Sequence, residues 1–470
     1  MRKVLNLLIF IHIGLHAQVV DVESLLPIIM IDTKNQTILD ENRIACNMGI
    51  VYNENSVNSN SDLFNEYDGQ ISIEIRGSAS SFFPKKSYSF ETQTLDGENN
   101  NVSLLGLPKE NDWILYGPYH DQTLIRNALT YTLFEKMGHY SPRHKYCELF
   151  INNDYVGIYL LIEKIKRDKN RINIEEIDEN NISGGYIFKI DHMNINGNSV
   201  EESEYWSSNY LSIGGDSIYF QYYYPKHDDL SDNQRYYLQN FINEFEIYLN
   251  SPSKIVELKN KIDFKSAIDF FIIQELSKNI DAYRASTYIY KDNNIISDKL
   301  FFGPVWDFNY SYGSGTFCEG DQFVGWQNNT SCGEANPIWF QKFLEDTTYV
   351  NELNCRWINL RDGILSVDSI FHLADSLIYS TNDARERNFQ RWSLSEKTYN
   401  EKVIELKNWV VERLQWMDQN MFGKCEDLNA SSHVKSLIKT VDILGRETTN
   451  KGFQLHIFDD GSVDKKYLIK

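Results

Sequence analysis

Between residues 263 and 313 the spacing of apolar and polar positions changes from a helical period to a strand period. Within Phe264–Ile272 apolar residues recur at i, i+3, i+4, i+7 and i+8, which predicts one face of a buried helix. Asp263 directly precedes this pattern and is expected to cap the N-terminus of the helix. The pattern ends at Ser277, and the acidic residue Asp281 follows shortly after it.

Two strand-like segments come next. Ser286–Tyr290 and Lys299–Phe302 are rich in β-branched, aromatic and other apolar residues, and the turn residues Asp292–Asn294 lie between them. This pattern predicts a β-hairpin. Gly303-Pro304 ends the second strand, and a second acidic residue, Asp307, follows. The order along the chain is therefore helix, acid, hairpin, acid.

This order has a chemical interpretation. Phosphoryl transfer uses one carboxylate to orient or deprotonate the attacking hydroxyl, and a second to hold the Mg²⁺ that neutralises the nucleotide phosphates. Asp281 follows a helix and Asp307 follows a hairpin, and such rigid elements can hold both acids in one cleft. The simpler alternative is that Asp281 caps a turn and Asp307 is a solvated loop acid.

An earlier segment has the alternation of a half-buried strand. Ile71, Ile73 and Ile75 alternate with polar residues, the small-residue loop Arg76–Ser81 follows, and Lys85–Phe90 resumes as a strand. Protein kinases use the same order of strand, small-residue loop and lysine-bearing strand. The backbone N–H groups of the loop cover the ATP phosphates, and the lysine ammonium contacts them. A Ser-rich hairpin with exposed lysines is the simpler alternative.

Two further segments bear on the organisation of the chain. Asp121 is expected to cap a helix over Gln122–Met137, whose apolar residues face inward and which Gly138 ends. Gly184–Asp191 reads as a strand.

Glu163 ends a predicted hairpin whose second strand is Tyr155–Ile162. An acid at the end of a buried strand can contact the polar groups of a nucleotide. It can equally pair with Lys164 or Arg167 on the surface, and the sequence leaves both alternatives open.

Composition narrows the function classes. The chain has 470 residues with 42% hydrophobic and 14% aromatic content, so it can bury a large core and is not a disordered chain. Its net charge of −20 argues against nonspecific binding to nucleic acid or to an anionic membrane. A basic or Ser-rich protein partner fits better, although acidity also favours solubility.

The N-terminus is typical of a secretory signal peptide. A basic start precedes the short apolar run Val4–Gly14, and Leu15–Ala17 is an acceptable cleavage site, so residues 1–17 are expected to be removed. No later stretch reaches about 18 uninterrupted apolar residues, which predicts a mature chain without a transmembrane segment.

Cysteine usage fits export. In an exported protein cysteines can pair, and a bond between Cys318 and Cys332 would close a short loop just after Asp307. No CxxC spacing indicates zinc, and the spacings do not determine the connectivity.

Five ordered motifs resemble those of the CotH family, the spore-coat kinases and their relatives, over roughly residues 22–420. The matching segments are Arg76–Ser81 with Pro84–Tyr88, Leu105–Pro108 with Asn111–Trp113 and Asp121–Asn127, Asn153–Tyr159 with Glu163–Ile165, Lys278–Tyr283, and Gly303–Asn309.

The resemblance implies an α+β chain with a divergent protein-kinase-like fold over residues 18–423. It implies a secreted enzyme that uses ATP and Mg²⁺, or Mn²⁺, to phosphorylate protein hydroxyls. Asp281 would be the catalytic acid, and Asp307 with Asn309 would hold the metal. The residues implied to face the nucleotide are Arg76, Ser78, Ser80, Lys85, Lys86 and Glu163.

The chain departs from the spore-coat pattern at two places. Asn309 stands where spore-coat members tend to have a second acid after Trp306-Asp307. An Asn side chain still offers a carbonyl oxygen to magnesium, so the change weakens the metal site without abolishing it. Arg284-Ala-Ser286 replaces Arg-His-Asn, which bears on a second metal ligand.

The tail changes character after the linker-like segment Lys424–Asn429. Three short strands are predicted in the last forty residues, with a hairpin turn at Asp459–Gly461. Asp442–Glu447 and the Lys-rich end resemble the all-β sorting domain of the type IX secretion system in Bacteroidota. The resemblance implies that residues 424–470 direct export through the type IX secretion machinery and are removed, leaving the protein secreted or at the cell surface.

Three functions remain open. The leading hypothesis is a secreted, metal- and ATP-dependent protein kinase. A surface-binding or adhesion protein that keeps the fold without turnover is the competing class, because fold alone does not determine activity. Nucleotidyl transfer would use the same acids with the nucleotide reversed. Finding Asp281 and Asp307 on opposite sides of the protein would exclude both enzymes.

Overall fold

The computed structural model describes residues 21–468 except 41, 179–180, 196–197, 213, 252–254, 331–335, 426–436, 443–445, 449–451 and 459–462. The chain divides into two units, Met1–Phe422 and Gly423–Lys470. The predicted signal peptide over residues 1–17 lies outside the described part. Among the helices described, none combines the length and apolar character needed to span a membrane.

The described residues contain nineteen strands and eight α-helices. The strands are β1 Glu23–Ser24, β2 Ile28–Asp32, β3 Ile44–Val51, β4 Asn58–Ser59, β5 Tyr67–Arg76, β6 Ser87–Gln93, β7 Asp112–Tyr116, β8 His144–Ile151, β9 Asp154–Glu163, β10 Tyr186–Ile190, β11 Asn194–Ile195, β12 Asn198–Ser199, β13 Tyr205–Leu211, β14 Ser217–Tyr224, β15 Thr287–Lys291, β16 Leu300–Phe302, β17 Leu437–Val441, β18 Gly452–Phe458 and β19 Val463–Leu468. The helices are α1 Arg126–Lys136, α2 Asp232–Leu249, α3 Phe264–Ser277, α4 Trp339–Phe343, α5 Thr347–Arg361, α6 Val367–Ser380, α7 Arg385–Trp392 and α8 Glu396–Asn420. This mixture of sheets and helices confirms the α+β class.

Seven strands close into a barrel in the order β2-β3-β5-β6-β7-β9-β8. All neighbours are antiparallel except β2 and β8, which pair in parallel. Side chains such as Ile29, Ile71, Phe90, Trp113 and Leu161 fill the barrel, as expected of a small closed sheet.

The predicted strand–loop–strand unit is present at one end of this barrel. β5 pairs antiparallel with β6, and Arg76 lies opposite Ser87. The loop between them includes a 3₁₀ turn over Ala79–Phe82. Gly77 has a φ of 105°, a backbone conformation that L side chains rarely adopt, which explains a glycine at the start of the loop.

A second, five-stranded antiparallel sheet has the order β13-β14-β10-β15-β16. Its β15–β16 pair confirms the predicted hairpin. The carboxylate of Asp263 accepts a hydrogen bond from the Ser266 N–H at 2.7 Å, so Asp263 caps α3 as expected. The helix is buried on nearly every side rather than on one face, because it packs against α1, α5, α8 and β16.

The prediction that Asp121 caps a helix from residue 122 is wrong. α1 begins at Arg126, because Leu124 has a left-handed φ of 64° that interrupts a helix. The Asp121 carboxylate instead accepts bonds from the backbone N–H groups of Thr123 at 3.1 Å and Arg126 at 2.8 Å. It therefore orders the turn that leads into the helix.

The structure shows the bonding state of five of the six cysteines. Cys318, Cys355 and Cys425 are disulfide-bonded, whereas Cys46 and Cys147 are buried free thiols of the barrel core. Cys332 lies outside the described residues, so the proposed Cys318–Cys332 bond stays a prediction.

Residues 423–470 contain a three-stranded antiparallel sheet, in which β18 pairs with both β17 and β19. The sheet agrees with the three strands predicted for the tail. The predicted turn at Asp459–Gly461 lies outside the described residues.

A buried ion pair joins α3 to α8. Glu275 and Arg413 are both fully buried, with a guanidinium nitrogen 3.2 Å from the carboxylate. The carboxylate also accepts bonds from the N–H groups of Gln327 at 2.7 Å and Asn328 at 2.8 Å, and from the Tyr283 hydroxyl at 3.0 Å. Burial raises the pKa of Glu275 and Arg413 opposes this rise. One side chain thus ties together two helices and two loops.

Replacing Arg413 by Met is expected to destabilise the fold by about 3–5 kcal/mol near pH 7, because the Glu275 carboxylate is left buried without its cation. The loss shrinks at pH 5. Without Arg413 the folded-state pKa of Glu275 rises further above its unfolded value, so the native state gains a proton as the pH falls. Urea unfolding of both proteins at pH 5 and pH 8 measures the difference.

Lys397→Met is the matched control, because the ion pair of Lys397 with Glu401 is exposed and is expected to contribute little. An equal loss for Arg413→Met at both pH values, or an equal loss for Lys397→Met, would contradict the assignment.

Candidate active site

Asp281 and Asp307 lie close enough together for their charges to interact, and the region that they share is called the cleft below. Burial and the charge of Asp281 raise the pKa of Asp307 to about 7. Asn279 links the two backbones, because its Oδ1 accepts from the Asp281 N–H and its Nδ2 donates to the Asp307 carbonyl, both at 3.3 Å. The arrangement that would have excluded an enzyme, with the acids on opposite sides, is not observed.

The loop that carries Asp307 is held by α1 and the turn before it. Asn127 Oδ1 accepts from the Phe308 N–H at 2.6 Å, and the Asp307 N–H donates to the Tyr131 hydroxyl at 3.3 Å. Arg126, paired with Asp121, donates to the Ser311 carbonyl at 2.9 Å.

Asp307 itself has a left-handed φ of 59°. A non-glycine residue in this region costs of order 1–3 kcal/mol, so the surrounding hydrogen bonds are needed to keep it there.

Arg76 is the predicted nucleotide-facing residue that the structure places beside the acids. It ends β5, its guanidinium lies 5.3 Å from the centre of the Trp306 ring, and its charge lowers the pKa of Asp307. A cation at this position can neutralise the carboxylates or the charge of a bound anion.

The loop of Ser78 and Ser80 is fastened by its own hydrogen bonds. The Ser81 hydroxyl donates to the Ser78 carbonyl at 2.8 Å, and the Phe83 N–H donates to the Ser80 carbonyl at 3.1 Å. Lys86 Nζ donates to the Ser81 carbonyl at 2.6 Å. The ammonium of Lys86 therefore closes the loop between β5 and β6.

Lys85 takes a different place. Its side chain is buried, and its ammonium donates to Asn388 Oδ1 at 2.9 Å and lies 5.1 Å from the Tyr159 ring centre and 5.9 Å from that of Trp392. Burial lowers the pKa of Lys85 to about 7. These contacts attach the barrel to α7, and none of them involves an acid of the cleft.

Glu163 pairs with neither of the surface cations considered in the sequence. It is buried at the end of β9, where its carboxylate accepts from Arg143 Nε at 2.9 Å and from the Tyr140 hydroxyl at 3.3 Å. Lys164 pairs with Asp112 at 3.1 Å and Arg167 with Glu176 at 3.4 Å. The long-range partner Arg143 gives no local signal, which is why sequence spacing missed it.

Sequence reasoning also missed a third carboxylate, Asp191, which follows β10. Its Oδ1 accepts from the Ser286 N–H at 3.2 Å and its Oδ2 lies 2.6 Å from Lys189 Nζ. Burial raises the pKa of Asp191, but Lys189, His192 and the hydrogen bond from the Ser286 N–H together outweigh burial and leave that pKa below its usual value. Asp191 in turn raises the pKa of Asp307. An acid directly after a buried strand was the available signal.

The residues present fit a divalent cation bound together with phosphate oxygens. Among the residues that the structure describes, no three His, Cys, Asp or Glu side chains are grouped as metal ligands. Asn309 Oδ1, however, is buried and has no hydrogen-bond partner in the described part of the chain. Mg²⁺ takes oxygen ligands and is usually held by one or two protein groups plus phosphates and water. Asp307 and Asn309 supply such a pair.

Comparison with known proteins identifies the class. Residues 73–417 match the sequence model of the CotH family, described as CotH kinase protein, which is well over half of the chain. The chain therefore belongs to the CotH kinase protein family. Among curated proteins, none matches it significantly.

Asp307→Asn is expected to raise the Tm by a few degrees at pH 8 in the presence of a chelator, and by much less at pH 5. The folded-state pKa of about 7 exceeds the ordinary value of 3.8, so the wild-type native state holds a proton at pH 5 and loses it by pH 8. At pH 8 the wild type alone carries the partly buried charge. Differential scanning calorimetry measures the four Tm values.

Asp96→Asn, in an exposed loop, controls for a general effect of removing one negative charge. A Tm shift for Asp307→Asn that is the same at both pH values would contradict the raised pKa of Asp307.

Proposed function

We propose that this member of the CotH kinase family is a secreted protein kinase with a divergent kinase-like fold, which transfers the γ-phosphate of ATP to protein hydroxyls. One observation carries the proposal: two carboxylates, Asp281 and Asp307, interact in a single cleft. Asn309 supports it, because its buried Oδ1 has no hydrogen-bond partner among the described residues and it follows Asp307 by two positions.

Asp281 and Asp307 have different roles in this proposal. Asp281 orients the acceptor hydroxyl and accepts its proton, because it is partly exposed in the loop after α3. Asp307 and Asn309 hold Mg²⁺ or Mn²⁺, which supplies charge neutralisation to the nucleotide phosphates. The pKa of about 7 for Asp307 means that the metal-binding form predominates above neutral pH in the metal-free protein.

Arg76, Ser78, Ser80 and Lys86 form the nucleotide side. Arg76 is already beside the acids, and the β5–β6 loop can present backbone N–H groups to phosphates. Lys85 and Glu163 contribute differently from the initial expectation, since both are buried and paired within the barrel and its flank. Their role in the proposal is to position the walls of the cleft.

The acceptor is proposed to be an exported protein with a basic or Ser-rich segment. A net charge of −20 on the kinase favours encounter with a basic partner. The same charge disfavours nucleic acid as a substrate.

A second candidate is a surface-binding protein on the same fold that has lost turnover. The replacement of an acid by Asn309 and the missing three-carboxylate metal group in the described residues favour it. Nucleotidyl transfer would use the same two acids and differs in which phosphate is attacked.

The direct test is transfer of label from γ-labelled ATP to a basic, Ser-rich protein by the chain lacking residues 1–17 and 424–470, with Mg²⁺ or Mn²⁺. Asp281→Asn is expected to lower transfer by about 10²–10⁴-fold while ATP still binds, because only the proton acceptor is removed. Asp307→Asn is expected to lower both transfer and metal-dependent ATP binding. Asp96→Asn is expected to leave both unchanged.

Other outcomes of the same experiment would distinguish a non-catalytic protein from a nucleotidyl transferase. ATP binding without any transfer supports the non-catalytic protein. Label from α-labelled ATP, but not from γ-labelled ATP, appearing on the acceptor supports nucleotidyl transfer. Absence of ATP binding contradicts both enzymes.

We further propose that residues 1–17 direct passage across the inner membrane, and that residues 424–470 direct passage through the type IX secretion machinery to the cell surface or medium. Disulfide-bonded Cys318 and Cys355 fit an oxidising destination.

Deleting residues 424–470 is expected to retain the protein in the periplasm of a host with type IX secretion, because the export signal is lost while the signal peptide remains. Immunoblots of periplasm, outer membrane and medium measure the distribution. Equal surface or medium levels with and without the tail would refute this assignment.

A further inference from the structure

A cavity of about 300 Å³ lies between β13 and α2, lined by residues other than the acids and cations of the candidate active site. β13 is an edge strand of the five-stranded sheet. Its Trp206 and Asn209 form one wall, and α2 forms the other. Ligand pockets commonly measure 300–1,000 Å³, so this cavity has room for one small molecule.

The helical wall of the cavity is mostly polar. Tyr236, Gln239, Asn240 and Asn243 have the spacing i, i+3, i+4 and i+7, which places them on one face of α2. This polar face lies beside the buried apolar stripe of α2, which includes Leu238 and Phe245, and it presents amides and a phenol to the cavity.

Each amide uses one end to hold its position. Gln239 Nε2 donates to the Tyr222 hydroxyl at 2.6 Å, and Asn240 Nδ2 donates to Glu244 at 2.9 Å. Asn209 Nδ2 donates to Asn243 Oδ1. The other ends have no protein partner in the described part of the chain: three carbonyl oxygens, of Gln239, Asn240 and Asn209, and the NH₂ of Asn243. The cavity thus offers both acceptors and a donor.

No exposed charge faces this space. The cavity lining contains no Lys, Arg or His, so it does not suit a phosphate or a carboxylate. Its one acid, Glu246, is 2% exposed, and its oxygens accept from the Ser208 hydroxyl at 2.7 and 2.8 Å and from Trp339 Nε1 at 3.0 Å. Burial raises the pKa of Glu246, which further disfavours a cationic ligand.

Aromatic rings complete the lining. Trp206 is fixed by its neighbours, with its ring centre 4.6 Å from that of Tyr222. Tyr236 stands at the rim and is 71% exposed. The negative face of an aromatic ring attracts polarised C–H groups, and amides match vicinal hydroxyls that both donate and accept.

We propose that this cavity binds a neutral saccharide, with one sugar ring among the amides of α2 and against the aromatic side chains. The inference is independent of the kinase proposal, because no residue of the acidic cleft lines the cavity.

Titration of the full chain with the methyl glycosides of glucose, galactose, mannose and N-acetylglucosamine tests the proposal, by ligand-observed NMR and calorimetry. At least one glycoside is expected to bind with a millimolar Kd. Glycerol, which has hydroxyls without a ring, and methyl glucuronide, which is charged, are expected to bind at least tenfold more weakly.

Tyr236→Ala and Asn243→Ala are each expected to weaken glycoside binding at least tenfold, with an unchanged Tm for the exposed Tyr236. Tyr379→Ala is the matched control, since Tyr379 is 77% exposed on α6. Absence of binding by all four glycosides would overturn the proposal. So would binding that Tyr236→Ala and Asn243→Ala leave unchanged, or that Tyr379→Ala weakens equally.

Discussion

The Glu275 carboxylate is the point on which the helical half of this protein depends. It is fully buried, yet it is retained because Arg413, two backbone N–H groups and a tyrosine hydroxyl satisfy it. Removing a charge from water costs several kcal/mol, so each donor is required. Tyr283, one of these donors, lies two residues after Asp281, and the same network therefore also orders the loop that carries the first acid of the cleft.

The second acid, Asp307, is also positioned by hydrogen bonds, which come from helix α1. Asn127 and Tyr131 of α1 bond to the backbone at Asp307 and Phe308, and they keep Asp307 in a left-handed conformation beside Asp281. Repulsion between two carboxylates and a sparsely populated φ both oppose folding. A bound cation would relieve the repulsion between the two carboxylates.

Elements with a local signal were predictable. The helix after Asp263, the hairpin of β15 and β16, and the β5–loop–β6 unit all follow from periodicity and turn residues. The order helix, acid, hairpin, acid also indicated that Asp281 and Asp307 could meet. The start of α1 was misplaced because a single left-handed residue, Leu124, interrupts an otherwise helical pattern.

The pattern of residues along the chain was enough to predict most of the strands and helices, the family motifs and the acids available for chemistry. How the charges are paired depends on the folded arrangement. Lys85 and Lys86 are adjacent in the chain, yet one is buried against Asn388 and the other closes a loop. Glu163 forms an ion pair with Arg143, and Asp191 lies close enough to Asp307 to raise its pKa. Burial and long-range partners set the pKa and role of an ionisable group, and neither is encoded in local spacing.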